Sequence, residues 1–171
     1  MRRTIPDADA MESLGRELGG ELRAGDLVVL TGPLGAGKTT LTRGIGAGLR
    51  VRGPVQSPTF VLARTHPNLA GGPPLVHVDA YRLGGAAELE DLDLDFARAV
   101  VVVEWGAGLL DGVSDSWLEA VIARPHGASG ETTADDDLDA DEPRTVDLLG
   151  HGPRWAGTPF SVQAELEGGR G

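Results

Sequence analysis

The sequence predicts an α/β fold in which helices cover both faces of a central mixed β-sheet, a three-layer arrangement. Short, continuously apolar stretches, typical of strands buried on both faces, alternate along the chain with segments whose apolar residues recur every three or four positions, as in amphipathic helices. A glycine-rich segment separates one such stretch from the helix pattern after it. Two strand patterns in the second half of the chain are expected to pair antiparallel, which makes the predicted sheet mixed.

The first predicted element is an amphipathic helix over residues 7–23. The apolar residues on its predicted buried side are Met11, Leu14, Leu18 and Leu22. Gly19 and Gly20 weaken the pattern, because glycine has a low helix propensity. A strand is predicted at residues 27–30, and a second helix follows the glycine-rich segment, with Leu41 and Ile45 on its apolar side.

The rest of the chain carries the patterns of five more strands and one helix. The strands are expected at residues 60–63, 75–78, 100–103, 117–122 and 145–149. The helix is expected over residues 88–97, and a loop rich in proline and glycine over residues 66–74. The sequence shows no internal repeat.

Length and composition indicate one domain over residues 1–171. Apolar residues make up 40% and charged residues 24% of the chain, which excludes a wholly disordered protein. No apolar run approaches the ~20 residues that cross a bilayer, and no apolar segment follows the basic pair near the start, so we expect a cytoplasmic protein without membrane contact. The absence of cysteine excludes disulfides and cysteine-ligated metal centres.

The formal charge of −11 argues against a broad contact with nucleic acid or anionic membrane, since such contacts need clustered basic residues. Seven acids and no base lie between Glu131 and Glu142. A polar run of this kind predicts a disordered acidic insertion at residues 127–142.

Lys38 is the one lysine among 15 basic residues, and it lies in a phosphate-binding motif. The motif G-x-x-x-x-G-K-[ST] is matched where an apolar strand pattern meets a helix pattern, as a P-loop requires. Its glycines let backbone N–H groups surround a phosphate, Lys38 reaches the β- and γ-phosphates, and the Thr39 hydroxyl ligates Mg²⁺. The predicted fold is therefore a P-loop NTPase fold. The predicted nucleotide-binding residues are Gly32, Pro33, Leu34, Gly35, Ala36, Gly37, Lys38, Thr39 and Thr40.

Two acids, Asp79 and Glu104, each close an apolar strand pattern and are candidates for the carboxylate that a nucleotide–Mg²⁺ site needs. An acid at the end of an apolar strand is also common where the chain simply returns to solvent. Two such acids in a chain that has a P-loop favour a role at the nucleotide site. The sole asparagine, Asn68, is followed by leucine, so the guanine-reading motif is missing and ATP is the expected nucleotide. No histidine has metal-ligand spacing, and His77 is expected only to pack on a sheet face.

Several motifs together resemble the bacterial TsaE family, small P-loop ATPases required for threonylcarbamoyladenosine modification of tRNA. In chain order the matching segments are Gly35-Ala36-Gly37-Lys38-Thr39-Thr40, Ser57-Pro58-Thr59-Phe60, His77-Val78-Asp79-Ala80-Tyr81-Arg82-Leu83, Glu88-Leu89-Glu90 and Val103-Glu104-Trp105. The likeness extends from about Met11 to Ile122, and residues 144–155 are similar to the family's last strand and tail.

The resemblance implies that residues 57–60 form a switch-like loop near the γ-phosphate, in which Thr59 offers a hydroxyl to phosphate or metal. It further implies that Thr39 and Glu104 hold Mg²⁺ and that Asp79 assists hydrolysis. The chain departs from the family at Pro33, where an acid is common.

The resemblance also implies that the protein works with TsaB and TsaD, hydrolysing ATP to reset their complex, and meets tRNA only indirectly through it. Two alternatives stay open. A small-molecule kinase would need converging arginines in a lid, and the sequence shows no compact arginine cluster. A nucleotide-gated binding module would hydrolyse ATP only incidentally.

Overall fold

The structure, a computed structural model, describes residues 1–58, 62–92, 94–105, 108, 112–124 and 142–162. Its strands are β1 (Arg2–Ile5), β2 (Leu27–Thr31), β3 (Ala63–His66), β4 (Leu75–Asp79), β5 (Val100–Glu104), β6 (Trp117–Ala123) and β7 (Arg144–His151). Its helices are α1 (Ala8–Glu21), α2 (Lys38–Leu49) and α3 (Ala86–Asp91), with 3-10 turns at Ala80–Arg82 and Pro153–Trp155. None of the helices in the described part of the chain is long and apolar enough to cross a membrane.

The strands form one mixed sheet in the order β1-β7-β6-β2-β5-β4-β3. Strands β6, β2, β5 and β4 run parallel to one another, whereas β7 and β3 run antiparallel to their neighbours. The carboxyl ends of the four parallel strands therefore meet at one edge of the sheet. Open α/β sheets bind ligands at such an edge.

Each face of the sheet is covered, and this confirms the predicted three-layer α/β class. Val100 and Val102 of β5 point toward the larger core, which includes the apolar side of α1 and α2. Val101 and Val103 point toward a smaller core closed by Leu89 of α3 and the turns around it. All four valines are fully buried, as the continuous apolar run predicted.

Helices α1 and α2 approach each other through glycines. Gly15 and Gly19 of α1 face Gly44 and Gly48 of α2, and a Cβ on any of the four would meet backbone of the opposite helix. Gly19, which weakens the helix pattern in the sequence, is thus a packing residue, whereas Gly20 faces open space.

Two predicted elements are displaced. The strand expected at residues 60–63 instead covers Ala63–His66, so His66 lies in a strand rather than in a loop, and residues 59–61 lie outside the described part of the chain. The helix expected over residues 88–97 is the shorter α3, Ala86–Asp91. Phe96 still packs against the smaller core, but from a turn, so apolar spacing there reflects burial rather than helix.

Strand β1 is not predicted from the sequence at all. Its residues, Arg2–Ile5, carry no apolar pattern, and the strand exists because it pairs antiparallel with β7, which lies far along the chain. The predicted acidic insertion at 127–142 lies outside the described residues except for Glu142.

Candidate functional site

The glycine-rich loop between β2 and α2 forms a cradle for an anion. Gly35 and Gly37 have φ angles of 73° and 106°, a left-handed backbone that side chains disfavour. Gly37 is also the N-cap of α2 and makes no side-chain cap. The first N–H groups of a helix lack intrahelical partners, so this helix start suits a phosphate.

Lys38 is buried and held over the loop. Its Nζ donates to the carbonyl oxygens of Gly32 at 2.8 Å and Pro33 at 3.0 Å. The same Nζ lies 3.7 Å from the centroid of the Trp105 ring, a distance at which an aromatic face attracts a cation. The carbonyl oxygens of Gly32 and Pro33 therefore hold the Lys38 ammonium in place beside the loop.

Asp79 and Glu104 are the last residues of β4 and β5 and are register partners on these neighbouring strands. The Thr39 hydroxyl of α2 lies 3.4 Å from Glu104 Oε1. A hydroxyl and carboxylate oxygens are hard donors of the kind that Mg²⁺ selects, so the residues present fit a divalent cation.

The Asp79 carboxylate is oriented by the backbone that follows it. Its Oδ1 accepts a hydrogen bond of 3.1 Å from the N–H of Tyr81, which caps the 3-10 turn Ala80–Arg82. Asp79 thus ends its strand with a fixed carboxylate at the cleft.

His77 does more than pack on a sheet face, which corrects the expectation for it. It is fully buried in β4, and its Nε2 lies 3.0 Å from Glu104 Oε1. The two side chains share a face of the sheet, since His77 is level with Val102 and Glu104 lies two residues beyond.

A cleft of about 340 Å³ collects these groups at the carboxyl edge of the sheet. Loop residues, Asp79, Glu104, Trp105 and Ser57 line it together with residues from β1, α1 and β7. Its basic side chains include Lys38, Arg43 and Arg144, and its acidic ones include Asp7, Asp79, Glu104 and Glu142. A cleft with both signs of charge suits a phosphate chain with a bound cation.

Several side chains of this site were not predicted from the sequence, among them Trp105 and Arg124. Trp105 has a φ of 63°, uncommon for a residue other than glycine, and its ring lies 5.6 Å from that of Tyr81. Arg124 follows β6 and donates from Nη2 to the Gly35 carbonyl at 3.0 Å. Each of these two residues directly follows an apolar strand, and this position in the sequence is the pattern from which they could have been predicted as site residues.

The structure brings most of the predicted site residues together. The residues of the predicted set that line the cleft are Leu34, Gly35, Ala36, Gly37, Lys38, Thr39, Thr40, Asp79 and Glu104. Gly32 and Pro33 contact Lys38 through their carbonyl oxygens. Thr59 lies outside the described residues, whereas Ser57 of the same predicted loop lines the cleft.

Comparisons with known proteins agree on one family. The family model "Threonylcarbamoyl adenosine biosynthesis protein TsaE" matches residues 5–129. The tRNA threonylcarbamoyladenosine biosynthesis protein TsaE of Streptomyces coelicolor is 57% identical over 157 residues, covering 90% of this chain and 99% of the relative. Its namesake from Mycobacterium tuberculosis H37Rv is 50% identical over 130 residues, covering 71% and 77%.

A solved structure shows the same fold. The crystal structure of YdiB from Bacillus subtilis superposes with a TM-score of 0.61, covering 90% of this chain and 86% of that one. The two sequences are 23% identical, so this likeness concerns the fold alone.

Proposed function

Because this chain belongs to the TsaE family, we propose that it binds ATP with Mg²⁺ and hydrolyses the nucleotide in the biosynthesis of threonylcarbamoyladenosine in tRNA. The observation that carries the proposal is the joint placement of the Lys38 ammonium and the Thr39–Glu104 pair at the mouth of one glycine-rich loop. Phosphoryl transfer needs little covalent chemistry from a protein beyond positioning and neutralising charge, and these groups supply both.

The loop and Lys38 would hold the phosphate chain. Backbone N–H groups at the start of α2 would face a bound phosphate, and the carbonyls of Gly32 and Pro33 hold the Lys38 ammonium beside the same loop. Thr39 and Glu104 would hold Mg²⁺, and the bound cation would neutralise the negative charge that develops on the phosphates during hydrolysis.

Asp79 would act on the attacking water. Its Oδ1 is fixed by the Tyr81 N–H, and the carboxylate lines the same cleft as Lys38. A carboxylate fixed in this way would orient a water and accept its proton while the water oxygen bonds to the γ-phosphorus. The bond from that phosphorus to the oxygen of the leaving ADP breaks in the same step.

We further propose TsaB and TsaD as partners, with ATP hydrolysis resetting their complex and tRNA reached only through it. The formal charge of −11 supports this division, because a strongly acidic chain repels the phosphate backbone of RNA.

The test is ADP release by wild type and Lys38→Ala, each with and without the TsaB–TsaD complex. We expect the complex to stimulate wild type and Lys38→Ala to bind no labelled ATP analogue while remaining folded. Arg98→Ala is the matched control, since it removes one positive charge from a side chain that is 86% exposed. Unchanged affinity in folded Lys38→Ala would contradict the proposed site. Phosphate transfer to a small molecule instead of water would indicate a kinase, and binding without stimulated turnover would indicate a nucleotide-gated module.

A further inference from the structure

We infer that His77 is a positioning residue for the cation site: it holds the Glu104 carboxylate in place by donating a hydrogen bond from Nε2 to Oε1. This inference rests on the proposed function, because it concerns the carboxylate assigned there to Mg²⁺. It assigns a task to a buried polar side chain that nucleotide binding and hydrolysis leave unused.

The geometry of the pair carries the inference. His77 Nε2 and Glu104 Oε1 are 3.0 Å apart, within the range of an N–H to oxygen hydrogen bond, and both side chains are almost wholly buried. A carboxylate accepts and cannot donate, so the imidazole carries its proton on Nε2. Thr39 Oγ1 approaches the same Oε1 at 3.4 Å, a longer and weaker contact than that of the imidazole. His77 therefore fixes Glu104 more firmly than Thr39 does.

The surroundings of His77 argue against a purely packing role. The other interior residues of β4, Leu75, Val76 and Val78, are apolar and buried, as expected for a strand covered on both faces. The Nδ1 atom of His77 is buried without a hydrogen-bond partner among the described residues. An apolar side chain at this position would avoid the cost of burying an unpaired nitrogen. The hydrogen bond from Nε2 to Glu104 therefore explains why a histidine occupies it.

Fixing one oxygen of a metal-ligating carboxylate raises affinity by removing rotamers that could not bind the cation. Outer partners of this kind typically change metal affinity by about 10–100-fold when they are removed. The nucleotide itself is held by the loop and Lys38, so its affinity without metal should not depend on His77.

The experiment measures Mn²⁺ uptake by electron paramagnetic resonance in the presence of ADP, and ADP affinity in EDTA, for wild type, His77→Phe and His77→Gln. Phenylalanine fills the space without an N–H, whereas the glutamine amide places an N–H near the position of Nε2. We expect His77→Phe to raise the Mn²⁺ concentration at half-saturation by about 10–100-fold. We expect His77→Gln to restore it, and metal-free ADP affinity to remain that of wild type in both.

Leu75→Ala is the matched control for stability. It removes buried volume from the same face of the same strand at the level of Val100, far along the strand from Glu104, so it should lower the melting temperature and leave the Mn²⁺ midpoint unchanged. A His77→Phe midpoint equal to that of wild type, or no rescue by His77→Gln, would overturn the inference alone. Wild type that takes up no Mn²⁺ with ADP would overturn the cation assignment of Glu104, and the role of His77 with it.

A second measurement does not depend on the variants folding. A long-range ¹H–¹⁵N spectrum of wild type reports which imidazole nitrogen of His77 carries a proton. A proton on Nε2 supports the inference, and an unprotonated Nε2 overturns it.

Discussion

Asp79 and Glu104 end neighbouring strands at the same level, yet their contacts differ. Glu104 is buried and lies beside the Thr39 hydroxyl and the His77 ring. Asp79 is half-buried, and its Oδ1 accepts a hydrogen bond from the Tyr81 N–H. The first environment suits a cation ligand and the second suits a group that orients water, which supports the roles proposed for each.

Removing the charge of each acid should therefore produce a different defect in ATP turnover. Glu104→Gln keeps the size of the side chain but should raise the Mg²⁺ concentration that ATP turnover requires. Asp79→Asn should lower partner-stimulated turnover by about 10²-fold or more while ATP and Mg²⁺ still bind, the scale of a positioned base. A Mg²⁺ titration of ADP release distinguishes them. A metal defect in Asp79→Asn with none in Glu104→Gln would reverse the assignment.

His66 gives the fold a pH dependence of its own. It is buried in β3, and burial lowers the pKa of its imidazole below the ordinary value, with electrostatic interactions with His77 and Arg64 acting in the same direction. A hydrogen bond with the Arg52 backbone opposes this pKa shift only in part. The folded protein therefore resists protonating His66 at a pH where the unfolded chain accepts the proton.

The free energy of unfolding should fall as pH drops below the ordinary histidine pKa of about 6.5, since the unfolded state then binds more protons. His66→Phe removes this contribution, so its stability should fall less than that of wild type between about pH 7.5 and about pH 5.5. Urea denaturation at both values measures the difference. Between about pH 7.5 and about pH 8.5, where this imidazole is neutral in both states, the two proteins should change alike. Equal losses at acid pH would show that His66 contributes nothing.

Among the elements, the packing of α1 on α2 depends on the absence of side chains. A Cβ on Gly44 would fall against the carbonyl oxygen of Glu12, and backbone cannot give way as a flexible side chain can. Gly20 lies on the exposed side of α1, where an added Cβ would meet no atom within 4 Å. Because α2 begins in the phosphate loop, the contact between the helices also fixes where the loop lies.

Gly44→Ala should destabilise the protein by about 1–3 kcal/mol, the usual cost of forcing an extra group into a packed contact. Gly20→Ala is the matched control and should stabilise it by about 0.4–1 kcal/mol, because it only restricts the unfolded chain. Thermal or urea unfolding compares the two variants. Equal stability of the two would mean that the helices separate without cost.

Across the whole molecule, the site is built from segments far apart in the chain. Residues of β1, the β2–α2 loop, β4, β5 and β7 all reach one cleft because the topology turns their ends to the same edge. The β6–β7 ladder that carries part of this edge is paired as far as Ala123 and Thr145. The acidic stretch between these strands is therefore expected to be dispensable for the ladder.

Deleting residues 129–141 should leave thermal stability and partner-stimulated turnover nearly unchanged. With its many acids and few apolar residues, this stretch has little apolar surface to contribute to a core, so its removal should cost the fold little. Melting temperature and ADP release with TsaB–TsaD test this. A variant of full length with the acids replaced by their amides separates the effect of charge from that of length. If the deletion variant fails to fold, or if TsaB–TsaD no longer stimulates its ADP release, the stretch is required for folding or for activity.

Local sequence patterns were enough to predict the α/β class, the buried strands, α1 and α2 and the glycine-rich loop between β2 and α2. These features depend on neighbours within a few positions: a continuous run of valines is buried in a sheet covered on both faces, and glycines at fixed spacing permit the left-handed backbone of the loop. The motifs were also distinctive enough to indicate the family.

The meeting of distant residues, in contrast, follows from the three-dimensional packing. Strand β1 exists through its pairing with β7, and the histidine expected merely to pack lies against Glu104 because register sets β4 beside β5. The contact of Trp105 with Lys38 and that of Gly44 with α1 also join residues on different elements, so they too depend on how the elements pack. Register and helix contact are fixed by the fit of the whole core, a global property that no local pattern records.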